Sequence, residues 1–440
     1  MLGHDVVINH RSLIRAQHHA EIAGDLPMHD PNPDVTDGSQ TPPLAIVMAG
    51  GRGARLHELT DRMCKAMLPF VRRRRLVDFT MENVLRSGLK NAIVVGQYLP
   101  DPLHTYLGTA WAGRFSAGGM MLLFDGSGDA ALPRYDGTAD ALHQLAARID
   151  AEGAHEVLIL SADHVSEMDY RPLIAAHRAS SARITLAAKA VDHDQARGLR
   201  VVDMRADGAM TGFADRPNTP VTLPDQPDQA LASIGVCVCN WDWLRQKLAE
   251  DSQSDSSSHD FDHDIVPLAV RDGEVQVYRW ETEGERPAFW RSIDTLDAFR
   301  ETALLFETGD APCGLPSPEL ASAEPALSRF GMSTTVGGLR LFAPLRSRAG
   351  RADWGVVEDS VLMDGARMTP GCRLTRALIA PGVTLPEGLV VGEDPVEDRR
   401  WFRVTPGGTT LVTTQMVSRR AALMPRRSAG AIRGFFGQSV

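Results

Sequence analysis

The stretch LAIVMAGGRGARL (Leu44 to Leu56) decides how this chain is read. Its apolar start is too short for a helix and reads as a buried strand that runs straight into a glycine-rich turn. Gly50, Gly51 and Gly53 at the carboxyl end of a first parallel strand let backbone N–H groups approach phosphate oxygens, and Arg52 and Arg55 add charge-assisted hydrogen bonds. The spacing is neither GxGxxG nor GxxxxGK[ST], and glycines also make plain tight turns. The strand before the turn and the two arginines favour a nucleotide-phosphate site.

Working outward, short apolar runs recur as NAIVVGQY, HEVLILSAD, ITLAAKAV, ASIGVCVC and VQVYRW, separated by amphipathic segments such as DFTMENVLRSG, TADALHQLAARID and TLDAFRETALLFE. That alternation is the βαβ signature of an α/β domain with a mostly parallel sheet, spanning residues 43–308. Residues 1–42 are polar and rich in His, Asp and Pro, and read as a disordered tail. The Pro/Gly/Ser-rich stretch 309–330 reads as a linker. Within 331–418, Leu362, Met368 and Leu374 recur every six residues, as do Ala377, Val383 and Leu389, with Gly365/Gly371 and Gly382/Gly388 in step. Six-residue periodicity with turn glycines suggests a parallel β-helix; an irregular β-rich domain is the bland alternative. Residues 419–440 read as a solvated basic tail.

The chain has 440 residues and a formal net charge of −10, which excludes a chain-wide electrostatic grip on nucleic acid or anionic lipid. No apolar run approaches the roughly 18 residues of a membrane span, and five Cys without CxxC or Cys/His metal spacing read as reduced thiols, so a cytoplasmic protein is expected. Of the 46 Lys+Arg, only Lys65, Lys90, Lys189 and Lys247 are lysine. In so Arg-biased a chain, a lysine just after the glycine turn points to a compact ammonium at phosphate. His259, with His263 four residues on, reads as a loop or cap histidine, since no third ligand is evident.

The segments GGRGARLHELTDRMCKAMLPF, RLVDF, RSGL, GQY, YDGTADAL, SADHVSEMDY, FADRP, LASIGV, SSHDFDHDIVP and FWRSIDTLDAF follow one another as the landmarks of bacterial glucose-1-phosphate adenylyltransferases do. The likeness covers about residues 44–308 and resumes at LPEGLVVGEDPVEDRRWFRVTPGGTTLVTTQM. The resemblance implies a Rossmann-like nucleotidyltransferase domain followed by a short left-handed parallel β-helix. It implies that glucose 1-phosphate attacks the α-phosphorus of ATP, releasing pyrophosphate and forming ADP-glucose for glycogen synthesis, in a homotetramer that uses Mg²⁺. By motif, Arg55 and Lys65 would stabilise the triphosphate and Asp163 would ligate Mg²⁺. Gln97 would contact the base, and Tyr135, Gly137 and Thr138 would line the nucleotide side. Gly198, Asp215, Arg216 and Ser233 correspond to the sugar-phosphate pocket. Each has a bland reading as well: Asp163 as a cap, Tyr135 as packing, Gly137 as a turn, Thr138 as the N-cap of its helix, Ser233 as a strand hydroxyl.

This chain resembles the family with departures. Ser292 stands where the family has a second metal-binding Asp, while Asp294 stands two residues on, where an extended backbone points the same way; we expect Asp294 to supply the missing carboxylate. The sugar-phosphate Lys is Arg216, an Arg is replaced by Asp136, and the loop between Trp111 and Arg134 lacks the adenine-reading Gln segment. At the family's effector site, Arg62 replaces a Lys, Pro69 replaces a His and Arg75 is retained, so some phosphorylated effector is expected. Two readings stand side by side: an active enzyme, and a catalytically impaired paralogue acting as a regulatory partner of an active copy.

Overall fold

Every residue of β1 (Leu44–Met48) is buried except Met48, which is half-buried, because the strand lies inside a sheet covered on both faces. Ala45 and Val47 face one core cluster, Leu44 and Ile46 another, as the two-residue period of a strand requires. The computed structural model describes residues 41–115, 120–125, 135–224, 226–317, 333–336, 339–342 and 355–423. The expected N-terminal tail, much of the linker, most of the loop between Trp111 and Arg134 and the end of the basic tail lie outside these residues.

The other five apolar runs are also strands. They form β2 (Asn91–Gly96), β4 (Glu156–Ser161), β6 (Ile184–Asp192), β9 (Gln229–Asn240) and β10 (Val275–Arg279). With β3 (Met120–Asp125), the order across the sheet is β10-β6-β9-β4-β1-β2-β3. β1 runs parallel to both β2 and β4, β2 to β3, and β6 to β10. β9 runs antiparallel to both its neighbours, β4 and β6. An apolar run carries no direction, so only the connections reveal this reversal. The short strand β5 (His164–Ser166) pairs with Trp290–Ser292, and the hairpin of β7 (Arg200–Met204) and β8 (Met210–Asp215) attaches to β9 through β7. The segment TADALHQLAARID, expected as one helix, is two, Thr138–Gln144 and Ala146–Ala151, with Leu145 between them.

In the C-terminal lobe, Val357 stacks over Leu374 and Leu374 over Val391, in parallel, while Val361 stacks over Leu378. This is the left-handed parallel β-helix. Each coil is one residue short of three hexads, and such a repeat cannot hold an unbroken six-residue phase, hence the two separate phases in the sequence. Leu374, Ala377, Val383 and Leu389 are buried in the column, whereas Leu362 and Met368 lie half-exposed at its rim. Gly365 sits on Gly382 and Gly371 on Gly388, all four at φ between 69° and 77°, where a side chain would be strained. The coils do not begin at residue 331: Ser333–Val336 and Leu339–Phe342 form an antiparallel hairpin on the first coil strand, Gly355–Glu358. The helix Leu296–Thr308 joins the lobes, burying Phe299, Ala303 and Phe306 in the same core cluster as Leu378 and Leu411.

Candidate active site

Because the chain runs from β1 through β2 to β3 on one side and then returns to β4 on the other side of β1, a crevice opens beyond the carboxyl ends of these strands. It holds a cavity of about 340 Å³ lined by Gly50, Gly51, Lys65, Gln97, Tyr135, Gly137, Thr138, Asp163 and Ser233, all singled out from the sequence, together with Arg200, Asp260 and Asp262. A second cavity of about 450 Å³ is lined by Arg55, Gly198, Arg291, Ser292 and Asp294.

One ammonium bridges a carboxylate of each cavity. Lys65 is buried and donates to Asp163 Oδ2 and Asp294 Oδ1, each at 2.5 Å. Arg55 Nη2 lies 3.1 Å from the same Asp294 oxygen, and Ser292 Oγ donates to Asp294 Oδ2 at 2.6 Å. Asp294 thus faces the cluster from the strand Trp290–Ser292, whose pairing with β5 brings it beside Asp163. The backbone supports the lysine: Lys65 N donates to Gly51 O at 3.1 Å, and Gly53, at φ 69°, leaves room for the lysine stem, where an added Cβ would come within 3.0 Å.

Electrostatics follow from this contact. Burial pulls the Lys65 ammonium down, but Asp163 and Asp294 more than offset it and hold the pKa above the ordinary lysine value. Burial pushes both carboxyls up; Lys65 outweighs it, with help from His164 at Asp163 and from Ser292 and Arg55 at Asp294, so both lie below the ordinary carboxylate range. His164, edge-on to Trp290 and 3.5 Å from Asp163 Oδ1, is pushed below the ordinary histidine value by burial.

On the nucleotide side, Gln97 Nε2 donates to Tyr135 O at 2.9 Å, so its position is fixed by the wall opposite. Thr138 does not cap its helix. Its hydroxyl donates to Asp260 Oδ2 at 3.1 Å and accepts from Phe261 N at 2.8 Å, tying the helix to the SSHDFDHD loop. Gly137 is required by space: a Cβ would lie 2.1 Å from His259 O. His259 pairs with Asp251 at 2.9 Å.

Other expected residues lie apart. Arg52 turns away onto the Tyr98 ring at 5.5 Å. Asp215 and Arg216 line neither cavity; they pair with each other at 3.3 Å at the end of β8. Arg62 is exposed, while Arg75 donates to Met67 O and lies over the Tyr106 ring. Arg200, which sequence reasoning missed, enters the first cavity and is ion-paired with Asp262. In a chain with so many arginines, an Arg at the start of a strand gave no signal.

Comparison with known proteins agrees with this fold. Residues 44–308 match the nucleotidyl transferase family, and residues 345–412 match the GlmU-like C-terminal hexapeptide family. A glucose-1-phosphate adenylyltransferase of Jannaschia sp. (strain CCS1) is 31% identical over 86% of this chain and 97% of its own length. One from Paramagnetospirillum magneticum is 33% identical over 84% of this chain and 93% of its own. Glucose-1-phosphate adenylyltransferase 2 of Vibrio cholerae is 31% identical over 84% and 97% respectively. The chain belongs to the glucose-1-phosphate adenylyltransferase family of nucleotidyl transferases.

Proposed function

We propose that the protein transfers an adenylyl group from ATP to glucose 1-phosphate, forming ADP-glucose and pyrophosphate. One observation carries this reading: Lys65, in the glycine-lined cavity, is held by Asp163 of that cavity and by Asp294 of the second, with Arg55 beside them. In-line transfer between two polyanions needs positioning and fixed positive charge more than proton transfer. The sugar phosphate's oxygen attacks the α-phosphorus and the bond to the departing pyrophosphate breaks. Lys65 and Arg55 are placed to hold the charge that develops on the non-bridging oxygens, and the backbone of Gly50 and Gly51 gives the triphosphate close approach.

Mg²⁺ belongs to the same reading. Asp163 and Asp294, which both hold the Lys65 ammonium, would offer hard carboxylate oxygens beside it, with Ser292 aligning Asp294 and phosphate oxygens and water completing the ion's coordination. When bound, the ion neutralises triphosphate charge. Glycogen synthesis in the cytoplasm, a homotetramer or a hetero-oligomer with an active paralogue, and a phosphorylated effector at Arg62 and Arg75 complete the proposal.

The test is pyrophosphate release from ATP, glucose 1-phosphate and Mg²⁺. Activity that is lost in Lys65→Ala and Asp163→Asn supports the enzyme. The impaired-paralogue reading draws on Ser292, where a carboxylate is missing; it is established instead by a silent wild type that recovers in Ser292→Asp.

A further inference from the structure

Besides Lys65, the only cation lining the first cavity among the described residues is Arg200. Lys65 is already engaged by two carboxylates. Arg200 is held at one point: its Nη1 is ion-paired with Asp262, which lines the same cavity. Its Nε is shut off from water without a hydrogen-bond partner, and Asp215 Oδ1 lies 3.8 Å from it. Nη2 makes no hydrogen bond with any described residue. β7 pairs with β9 at Val201 and Ala232, which sets Arg200 beside Ser233, the hydroxyl that the sequence places at the sugar. Arg216, by contrast, is half-exposed and lines neither cavity.

We propose that Arg200, presented by Asp262, is a substrate-binding residue that reads the hydroxyl groups of the sugar 1-phosphate and sets sugar specificity. This rests on the functional reading above. The carboxylates on either side compensate the guanidinium charge, so the group is poorly suited to an additional dianionic phosphate and well suited to neutral hydroxyls. A hydroxyl can accept from the Nη2 N–H groups of Arg200 while donating to Asp262. Rejection of a sugar that lacks or inverts that hydroxyl then follows from leaving these half-buried charged groups without that partner.

The experiment compares wild type, Arg200→Met and the double variant Arg200→Met/Asp262→Asn, which removes both halves of the pair so that no buried charge is stranded. KM for ATP and KM for a panel of sugar 1-phosphates (glucose, galactose, mannose and 2-deoxyglucose) are measured with thermal midpoints. Loss of one charge-assisted hydrogen bond corresponds to roughly tenfold or more. Both variants are expected to raise KM for glucose 1-phosphate by about that factor, to leave KM for ATP within about twofold, and to flatten the discrimination among the sugars. The proposal is overturned if KM for glucose 1-phosphate is unchanged, if it rises equally for every sugar, or if the double variant restores wild-type kinetics, since the pair would then act on the fold alone. A wild type that neither turns over nor binds glucose 1-phosphate sinks the functional reading and this proposal with it; an active wild type with an unshifted Arg200→Met profile sinks this proposal only.

Discussion

Asp294→Asn is the sharpest perturbation of the site, since it keeps shape and removes charge. Asp294 Oδ1 is 2.5 Å from Lys65 Nζ and 3.1 Å from Arg55 Nη2. Severing one side of a fully buried ion pair costs about 3–5 kcal/mol. Two features reduce that here: the Asp294 side chain is 26% exposed, and Asp163 remains on Lys65. A charge-assisted hydrogen bond of about 1.5–3 kcal/mol is the appropriate scale. If the bond is made in the transition state, turnover falls roughly tenfold to a hundredfold, at about 1.4 kcal/mol per decade.

The assay is pyrophosphate release at saturating ATP and glucose 1-phosphate across a Mg²⁺ titration, alongside a thermal midpoint. Turnover should drop within that range and the Mg²⁺ concentration for half-maximal rate should rise. Ser292→Ala, which frees Asp294 Oδ2 without removing charge, should show the same trend more weakly. Wild-type turnover and wild-type Mg²⁺ dependence in Asp294→Asn would refute the idea that this carboxylate replaces the one absent at residue 292.

Three other perturbations test the surroundings. The Lys65 pKa is raised, so its stabilising contribution is full below the ordinary lysine value and is lost only as pH climbs through the folded value; Asp163 and Asp294 are lowered, so theirs is full above about pH 4 and is lost only as pH falls further. Profiles of activity and melting temperature should therefore show no transition from this cluster between about pH 5 and pH 10, and a Lys65-dependent transition near neutrality would contradict the geometry. Gly137→Ala drives a methyl into His259 O, 2.1 Å from the Cβ position, and should cost about 1–3 kcal/mol while raising KM for ATP; an unchanged KM and melting temperature would show that the loop yields freely. Arg300→Met in the helix that joins the lobes removes a buried guanidinium that donates to Thr409 Oγ1 at 2.9 Å and Asp359 O at 3.0 Å, and should cost about 1–3 kcal/mol in calorimetric unfolding.

How much of this was legible in the sequence depends on what each residue had to reveal. The six apolar runs became strands because length and apolarity bear on strand formation, but the direction of β9 lies in the connections and left no trace in its composition. Lys65 stood out because lysine is scarce, and that same bias hid Arg200: where arginine is the default cation, no single arginine is conspicuous. The break at Leu145 has no glycine or proline to announce it. Asp294 was within reach because a two-residue offset on extended backbone preserves facing, whereas its bond to Ser292 needed coordinates.

The two carboxylates that hold Lys65 are anchored very differently. Asp163 follows β4 in the central sheet, and its backbone accepts from Ile293 N at 3.4 Å. Asp294 immediately precedes Thr295, whose hydroxyl accepts from Ala298 N at 3.1 Å and caps the helix Leu296–Thr308. That helix is seated on the β-helix by Phe299, Ala303 and Phe306, and Asp297 in its first turn accepts from both Thr405 and Thr409. The position of Asp294 is thereby tied to the C-terminal lobe, while that of Asp163 is tied to the sheet. The two carboxylates are nevertheless coupled, since the strand Trp290–Ser292 pairs with β5, and Lys65 N donates to Gly51 O, so the cluster, the glycine turn and the C-terminal lobe are joined by one continuous set of contacts.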